Sequence, residues 1–142
     1  YLISVGSDTL PLRMDRISSN AMALANYLDS HPLIKKVYYP GLRSHLQHNR
    51  AKKLFPAFGG ILSAEIVDQI DCFDFINRLE LIACASNLGD TRTLCIPVAH
   101  SIYHEMGPVR RNEMGIADSL IRFSVGIEEF DDLRLDLERS LI

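Results

Sequence analysis

The sequence predicts a single two-layer sandwich of α and β elements, with helices covering one face of a four-stranded sheet. Three observations predict it. The 142 residues match one ordinary domain and are enough to bury a substantial core. Amphipathic helical patterns alternate along the chain with short apolar, β-branched runs, the interleaving that layered folds require. No internal repeat, low-complexity stretch or linker divides the chain. Composition agrees: 47% apolar and 23% charged residues describe a globular chain rather than a disordered one.

Taken in order, Leu10, Met14, Ile17, Ala21, Leu24, Ala25 and Leu28 recur near helical spacing and predict a long amphipathic first helix. Pro11 suits its first turn, Asp8 or Thr9 can cap it, and His31-Pro32 stops it. Ile34 to Tyr39 is short, β-branched and aromatic, and reads as a strand closed by a Pro40-Gly41 turn. Ser44 opens a second helix through Leu54, with Lys52 and Lys53 near its negative end. Gly59-Gly60 introduce a strand at 61–67. Asp68 then caps a third helix from Gln69 to Leu79, with Ile70, Phe73, Ile76 and Leu79 on one face. Leu81 to Ala85 reads as a buried strand that runs into the loop Ser86-Asn87-Leu88-Gly89-Asp90. Residues 95–108, with two prolines, a glycine and two histidines, fit no single element. A short helix over 109–114 ends at Gly115, 120–127 is the fourth strand, and 128–141 is a closing acidic helix.

A net charge of −3 lacks the basic surface of a general nucleic-acid binder. No apolar run approaches the ~18 residues of a membrane span, and no signal peptide is visible. The three cysteines, Cys72, Cys84 and Cys95, are odd in number and lack C-x-x-C spacing. That fits a reducing, cytoplasmic setting and speaks against a disulfide framework or zinc site. His45 and His48 lack a third ligand nearby, so no metal site is expected. The chain begins at Tyr1 rather than Met, in a segment that reads as the middle of a longer protein.

The polar group that asks most for an explanation is Arg122, set in Leu120-Ile121-Arg122-Phe123-Ser124-Val125-Gly126. A guanidinium in an apolar strand needs an anion, and its planar fork suits a carboxylate. That carboxylate can belong to a ligand or to an internal ion pair; alternatively Arg122 lies outward on an edge. In the loop, Asn87 offers an amide and Gly89 an unusual backbone angle, although a plain turn explains both. Tyr103, His104 and Glu105, with His100, could move a proton, but read more readily as solvated loop. Arg110-Arg111 reads as a solvated helix start, and Cys84 and Cys95 as core-packing thiols without a base nearby.

Five segments occur together in order: Thr9-Leu10-Pro11-Leu12-Arg13-Met14, Tyr38-Tyr39-Pro40-Gly41-Leu42, Phe58-Gly59-Gly60, Asn87-Leu88-Gly89-Asp90 and Leu120 through Glu128. In this order the chain resembles, over essentially its whole length, the C-terminal part of the Cys/Met-metabolism family of pyridoxal-phosphate enzymes. The resemblance implies an α+β fold, the small C-terminal domain of fold-type-I pyridoxal-phosphate enzymes, with a mainly antiparallel sheet. It implies a β/γ-elimination or γ-replacement on sulfur amino acids, of the cystathionine γ-synthase/lyase or O-acetylhomoserine sulfhydrylase kind. It also implies that Arg122 binds the substrate's α-carboxylate, that Asn87 helps to hold it, and that the full-length enzyme is a homotetramer.

The departures are informative. Where the family commonly has H-P-A-S-M-T-H, this chain reads Pro97-Val98-Ala99-His100-Ser101-Ile102-Tyr103, and Val5 to Asp8 replace a frequent R-G-L-K. Ile102 and Tyr103, with Ser86, are therefore expected to shape the pocket differently. Covalent attachment of pyridoxal 5′-phosphate needs a lysine. Lys35, Lys36, Lys52 and Lys53 stand as two adjacent pairs, none in the family's S-x-T-K-like setting, and no Gly-rich phosphate cradle is present. The expectation is thus a single C-terminal domain over 1–142 whose first helix continues from a large cofactor domain, with no catalytic, cofactor-binding or metal residue of its own, inactive alone. The rival expectations are a stand-alone carboxylate-binding module and a structural or oligomerisation module.

Overall fold

The computed structural model describes residues 1–142. The chain forms α1 (Leu2–Asp8), α2 (Leu10–Asp29), β1 (Ile34–Tyr38), α3 (His48–Leu54), β2 (Ile61–Ile66), α4 (Cys72–Arg78) and β3 (Ala83–Cys84). It continues through β4 (Leu94–Pro97), a 3₁₀ turn (His104–Met106), α5 (Gly107–Glu113), β5 (Leu120–Ser124) and α6 (Phe130–Ser140). The sheet order is β1-β2-β5-β4-β3. β1–β2, β2–β5 and β4–β5 are antiparallel, and β3–β4 is parallel.

The strand alternation of β2 and β5 sorts the two faces of the sheet. Leu62, Ala64, Ile66, Ile121 and Phe123 point into the main core, where Leu24, Leu28, Phe75, Leu133 and Leu137 from α2, α4 and α6 meet them. The opposite face bears Leu120, Arg122 and Ser124, and Leu120 packs there with Val98, Ala99 and Ile116 in a small second cluster. Tyr38 and Tyr103 are half-buried against that cluster. No helix is long and apolar enough to cross a membrane.

The sheet has five strands, not four. The extra one, β4, is buried at every position, so it lacks the alternation by which a strand is recognised, and it ends in Pro97. β3 is only two residues long for a definable reason. The N–H groups of Glu80, Leu81 and Ile82 donate not to a neighbouring strand but to the buried Asp136 carboxylate, at 2.8, 3.1 and 2.9 Å. Pairing with β4 therefore begins at Ala83.

Other boundaries shift similarly. The cap of α4 is Asp71, whose Oδ1 accepts from the N–H groups of Phe73 and Asp74 at 2.8 and 3.1 Å. Asp68 instead pairs with Lys35 at 2.5 Å. The later start turns Phe75 into the core and leaves Phe73 exposed. Helix α3 begins at His48, β5 ends at Ser124, and α5 begins at Gly107. α1 is a separate helix, broken from α2 at Thr9; Leu10 and Met14, at the start of α2, are exposed while its later apolar residues are buried. Cys84 lies exposed at the sheet edge, not in the core. Arg111 is buried rather than solvated, because its Nη2 pairs with Asp118 Oδ1 at 3.0 Å.

Gly126, just past β5, is fixed by its surroundings. A Cβ there would collide with the Thr91 carbonyl oxygen and crowd a Glu128 carboxylate oxygen at 2.5 Å. Gly126→Ala is expected to lower unfolding stability by about 1–3 kcal/mol in urea denaturation. Gly6→Ala, facing open space in α1, is expected to leave it unchanged or slightly raised.

Candidate functional site around Arg122

Arg122 sits in β5, third of the five strands, so it is not an edge residue. Its cross-strand neighbours are Ser63 on β2 and Ile96 on β4. The Nη2 donates to the backbone carbonyls of Ser86 (2.9 Å) and Asn87 (3.1 Å). A guanidinium has five N–H donors. With two satisfied on Nη2, three remain: two on Nη1, and one on Nε, which is buried without a partner.

None of these donors meets an acid of this chain. The chain's ion pairs engage Arg16, Lys35, Arg111, Arg134 and Arg139, and Arg122 belongs to none of them. An internal salt bridge therefore does not explain this residue. A half-buried cation held by two carbonyls, with spare donors, has the chemistry to take an anion from outside the chain.

The loop that holds the guanidinium is itself held. The Gly89 N–H, at positive φ of 77°, donates to the buried Ser124 Oγ at 3.0 Å. Ser124 lies two residues beyond Arg122 on the same strand and face, so one strand fixes both the cation and its loop. Asp90 Oδ1 accepts from the Arg92 N–H at 3.1 Å and the Thr91 hydroxyl at 3.3 Å, and the Arg92 bond leads the causes that lower its pKa. Asn87 contributes its carbonyl to Arg122, while its exposed side-chain amide has no partner within the chain.

A second set of polar contacts fixes the turn after β5. Glu128 Oε1 accepts from the Thr93 N–H (2.6 Å) and Oε2 from the Thr93 hydroxyl (2.8 Å), while Thr93 Oγ1 accepts from the Gly126 N–H at 2.9 Å. Asn20 Nδ2, from α2, donates to the carbonyls of Gly126 (3.1 Å) and Glu128 (2.8 Å). Ser124, Thr93, Glu128 and Asn20 were not singled out from sequence. Asn20 carried a usable signal: an amide beside the apolar stripe of α2 needs hydrogen-bond partners once buried.

The other predicted residues divide. Ser86 joins Arg122 through its carbonyl. Tyr103 belongs to the cluster around Leu120 and so lies on Arg122's side of the sheet; neighbouring Ile102 is exposed. His100 is placed otherwise, with Nε2 3.1 Å from the Asp118 carbonyl oxygen and its ring against Phe73. His104 and Glu105 lie exposed in the 3₁₀ turn, so no histidine–carboxylate pair forms there. No group of three or more His, Cys, Asp or Glu side chains is placed to hold a metal ion.

Fold and site together define an α+β domain that leaves one half-buried, central-strand arginine without a counter-ion. The chain belongs to the Cys/Met metabolism PLP-dependent enzyme family, whose model matches residues 1–142. It is 42% identical over 142 residues to a cystathionine beta-lyase of Coxiella burnetii, covering 99% of this chain and 37% of the relative. It is 39% identical to an O-succinylhomoserine sulfhydrylase of Pseudomonas aeruginosa, covering 99% of this chain and 35% of that protein. Among solved structures, a cystathionine gamma-lyase from Lactobacillus plantarum complexed with L-serine superposes with a TM-score of 0.93 at 37% identity, covering 98% of this chain and 36% of that one. The chain thus spans between a quarter and little more than a third of the length of the curated relatives it matches.

The family's cofactor, pyridoxal phosphate, needs an amine for its aldehyde and a cradle for its phosphate. The lysines here are placed for other work. Lys35 pairs with Asp68, Lys36 lies over the Tyr38 ring at 4.6 Å, and Lys52 and Lys53 close α3. None stands on β4, β5 or the loop that holds Arg122. These lysines do not fit the group.

Proposed function

We propose that residues 1–142 are the C-terminal, substrate-carboxylate-binding domain of a pyridoxal-phosphate enzyme of sulfur amino-acid metabolism. The reaction is a β/γ-elimination or γ-replacement, of the cystathionine γ-synthase/lyase or sulfhydrylase kind. The observation that carries this reading is Arg122: a central-strand guanidinium fixed by the Ser86 and Asn87 carbonyls, with donors unspent and no ion pair to an acid of the chain. A solved relative was crystallised with L-serine, an amino acid whose α-carboxylate is the group such an arginine recognises.

In this reading Arg122 receives the α-carboxylate, and the unpartnered Asn87 amide supplies a further donor. Ser86, Ile102 and Tyr103 border the space that the substrate side chain occupies. The contribution is positioning: fixing the carboxylate sets the angle at which Cα meets the reacting group, and geometry of this kind is worth several kcal/mol of barrier. Bound pyridoxal phosphate supplies an electron sink, held by a lysine of the full-length enzyme outside these residues. That enzyme is read as a cytoplasmic homotetramer.

The two reaction types separate in one assay. The full-length enzyme is given its amino-acid substrate with and without an added thiol, and release of the 2-oxo acid is followed. Release independent of thiol marks elimination; suppression of release, with a new thioether product, marks replacement. Neither product, from enzyme that retains its cofactor, overturns the assignment.

A further inference from the structure

Two cysteines are paired across the edge of the sheet. Cys84 on β3 and Cys95 on β4 are register partners in the parallel pair. The Ala83 N–H donates to the Thr93 carbonyl (3.2 Å) and the Ala85 N–H to the Cys95 carbonyl (3.1 Å), so the pair is bracketed by ladder hydrogen bonds. Adjacent strands run about 4.7–4.9 Å apart, and directly paired side chains leave the same face. That separation falls inside the Cα···Cα range of about 4.4–6.8 Å over which a disulfide closes.

Their environments differ in a useful way. Cys84 is exposed and open to a solution oxidant, whereas Cys95 is 1% exposed. Burial first, and the charge of Cys84 second, push the Cys95 thiol up to about 12. The third cysteine, Cys72, begins α4 and has no cysteine partner.

We propose that Cys84 and Cys95 form a reversible disulfide across β3 and β4 when the protein meets a peroxide. The Cys84 thiolate attacks one peroxide oxygen, the O–O bond breaks, and hydroxide leaves, taking up a proton to give water; Cys84 is then a sulfenic acid. That neutral group removes the negative charge that had opposed ionisation of Cys95. The Cys95 thiolate attacks the Cys84 sulfur, the S–O bond breaks, and a second water forms. Two thiols and one hydrogen peroxide thus become one disulfide and two waters, and a dithiol reductant restores both thiols. Reversible pairs of this type are the ones expected in a reducing compartment.

The location gives the pair a consequence. β3 passes through Ala85 directly into Ser86 and Asn87, whose carbonyls hold Arg122, and Cys95 precedes Ile96, the cross-strand neighbour of Arg122. A covalent staple there ties a two-residue edge strand to β4 at the root of the loop. Amide exchange at Ala85 and through that loop is expected to slow on oxidation.

The test starts from the intact native protein, with three cysteine variants as controls. It is exposed to hydrogen peroxide in slight excess, its remaining thiols are blocked, and it is digested for peptide mapping. A peptide linking Cys84 to Cys95, lighter by two hydrogens than its parts and abolished by dithiothreitol, is the expected result. The link persists in Cys72→Ser and is absent from Cys84→Ser and Cys95→Ser. Recovery of Cys84 as sulfinic acid with Cys95 still a thiol overturns the proposal. So does recovery of both as blocked thiols, or a link that forms only after denaturation.

Discussion

Arg122→Ala, introduced into the full-length enzyme, is expected to lower kcat/KM for the amino-acid substrate by about 10²–10³-fold, mostly through KM. Truncating one partner of a desolvated, hydrogen-bonded charge pair costs about 2–5 kcal/mol, and each ~1.4 kcal/mol is tenfold. The middle of that range gives the expected factor. Bound cofactor, read from its visible absorbance, is expected to stay, because no lysine of this chain lies on β4, β5 or the loop that holds Arg122. Arg122→Lys keeps the charge but loses the planar fork that spans two backbone carbonyls while presenting further donors. It is expected to recover only part of the loss. Unchanged substrate kinetics in the alanine variant would remove Arg122 from the substrate site.

The largest effect on stability is expected at Asp136. Its buried carboxylate accepts three successive N–H groups, from Glu80, Leu81 and Ile82. Asp136→Ala leaves all three without their acceptor, each costing about 1–3 kcal/mol if it stays dry. With partial rehydration the expected loss is about 3–5 kcal/mol, measured as a shift of the urea midpoint at constant slope. Asp136→Asn keeps one acceptor oxygen and is expected to lose less than half as much. Those three residues lead into β3 and the Arg122 loop, so a protein still folded with Asp136→Ala is also expected to show a raised KM. A midpoint shift below about 1 kcal/mol would mean that the three N–H groups find other partners.

Which elements could be read beforehand follows from what periodicity measures. α2 was legible because its buried stripe, Ile17 through Leu28, is long and repeats at helical spacing against a polar background. β2 was legible because one face is core and the other is not, so burial alternates along it. β4 was not, because strands on both sides and packing on both faces bury Leu94 through Pro97 alike, and a uniformly apolar tetrapeptide has no period. The short β3 was read as a longer strand because its apolar character extends over Leu81 and Ile82, whose N–H groups are claimed by an acid more than fifty residues away. No local pattern announces such a partner.

The site divides along the same line. Arg122 stood out because a charge inside an apolar strand needs explaining, and the rule that buried charges are paired works on sequence alone. What sequence left open was the partner. The central position of β5 and the absence of any ion pair to Arg122 removed the edge and ion-pair readings together. The residues that aim it were hidden, since Ser124 reads as an ordinary strand residue until Gly89 is seen to donate to it. Arg111 shows the opposite error: beside Arg110 on a short helix it reads as solvated, yet the chain folds it onto Asp118.

The central claim is that Arg122 recognises the substrate's α-carboxylate, and one thermodynamic cycle tests it directly. The full-length enzyme and its Arg122→Ala variant are each given the amino-acid substrate and the same compound as its α-carboxamide, and kcat/KM is measured for all four pairs. If the two groups touch, the native enzyme prefers the carboxylate by about 10²-fold or more, and the variant loses nearly all of that preference. Equal preference for the carboxylate in both proteins would show that another group reads it, and would contradict the account.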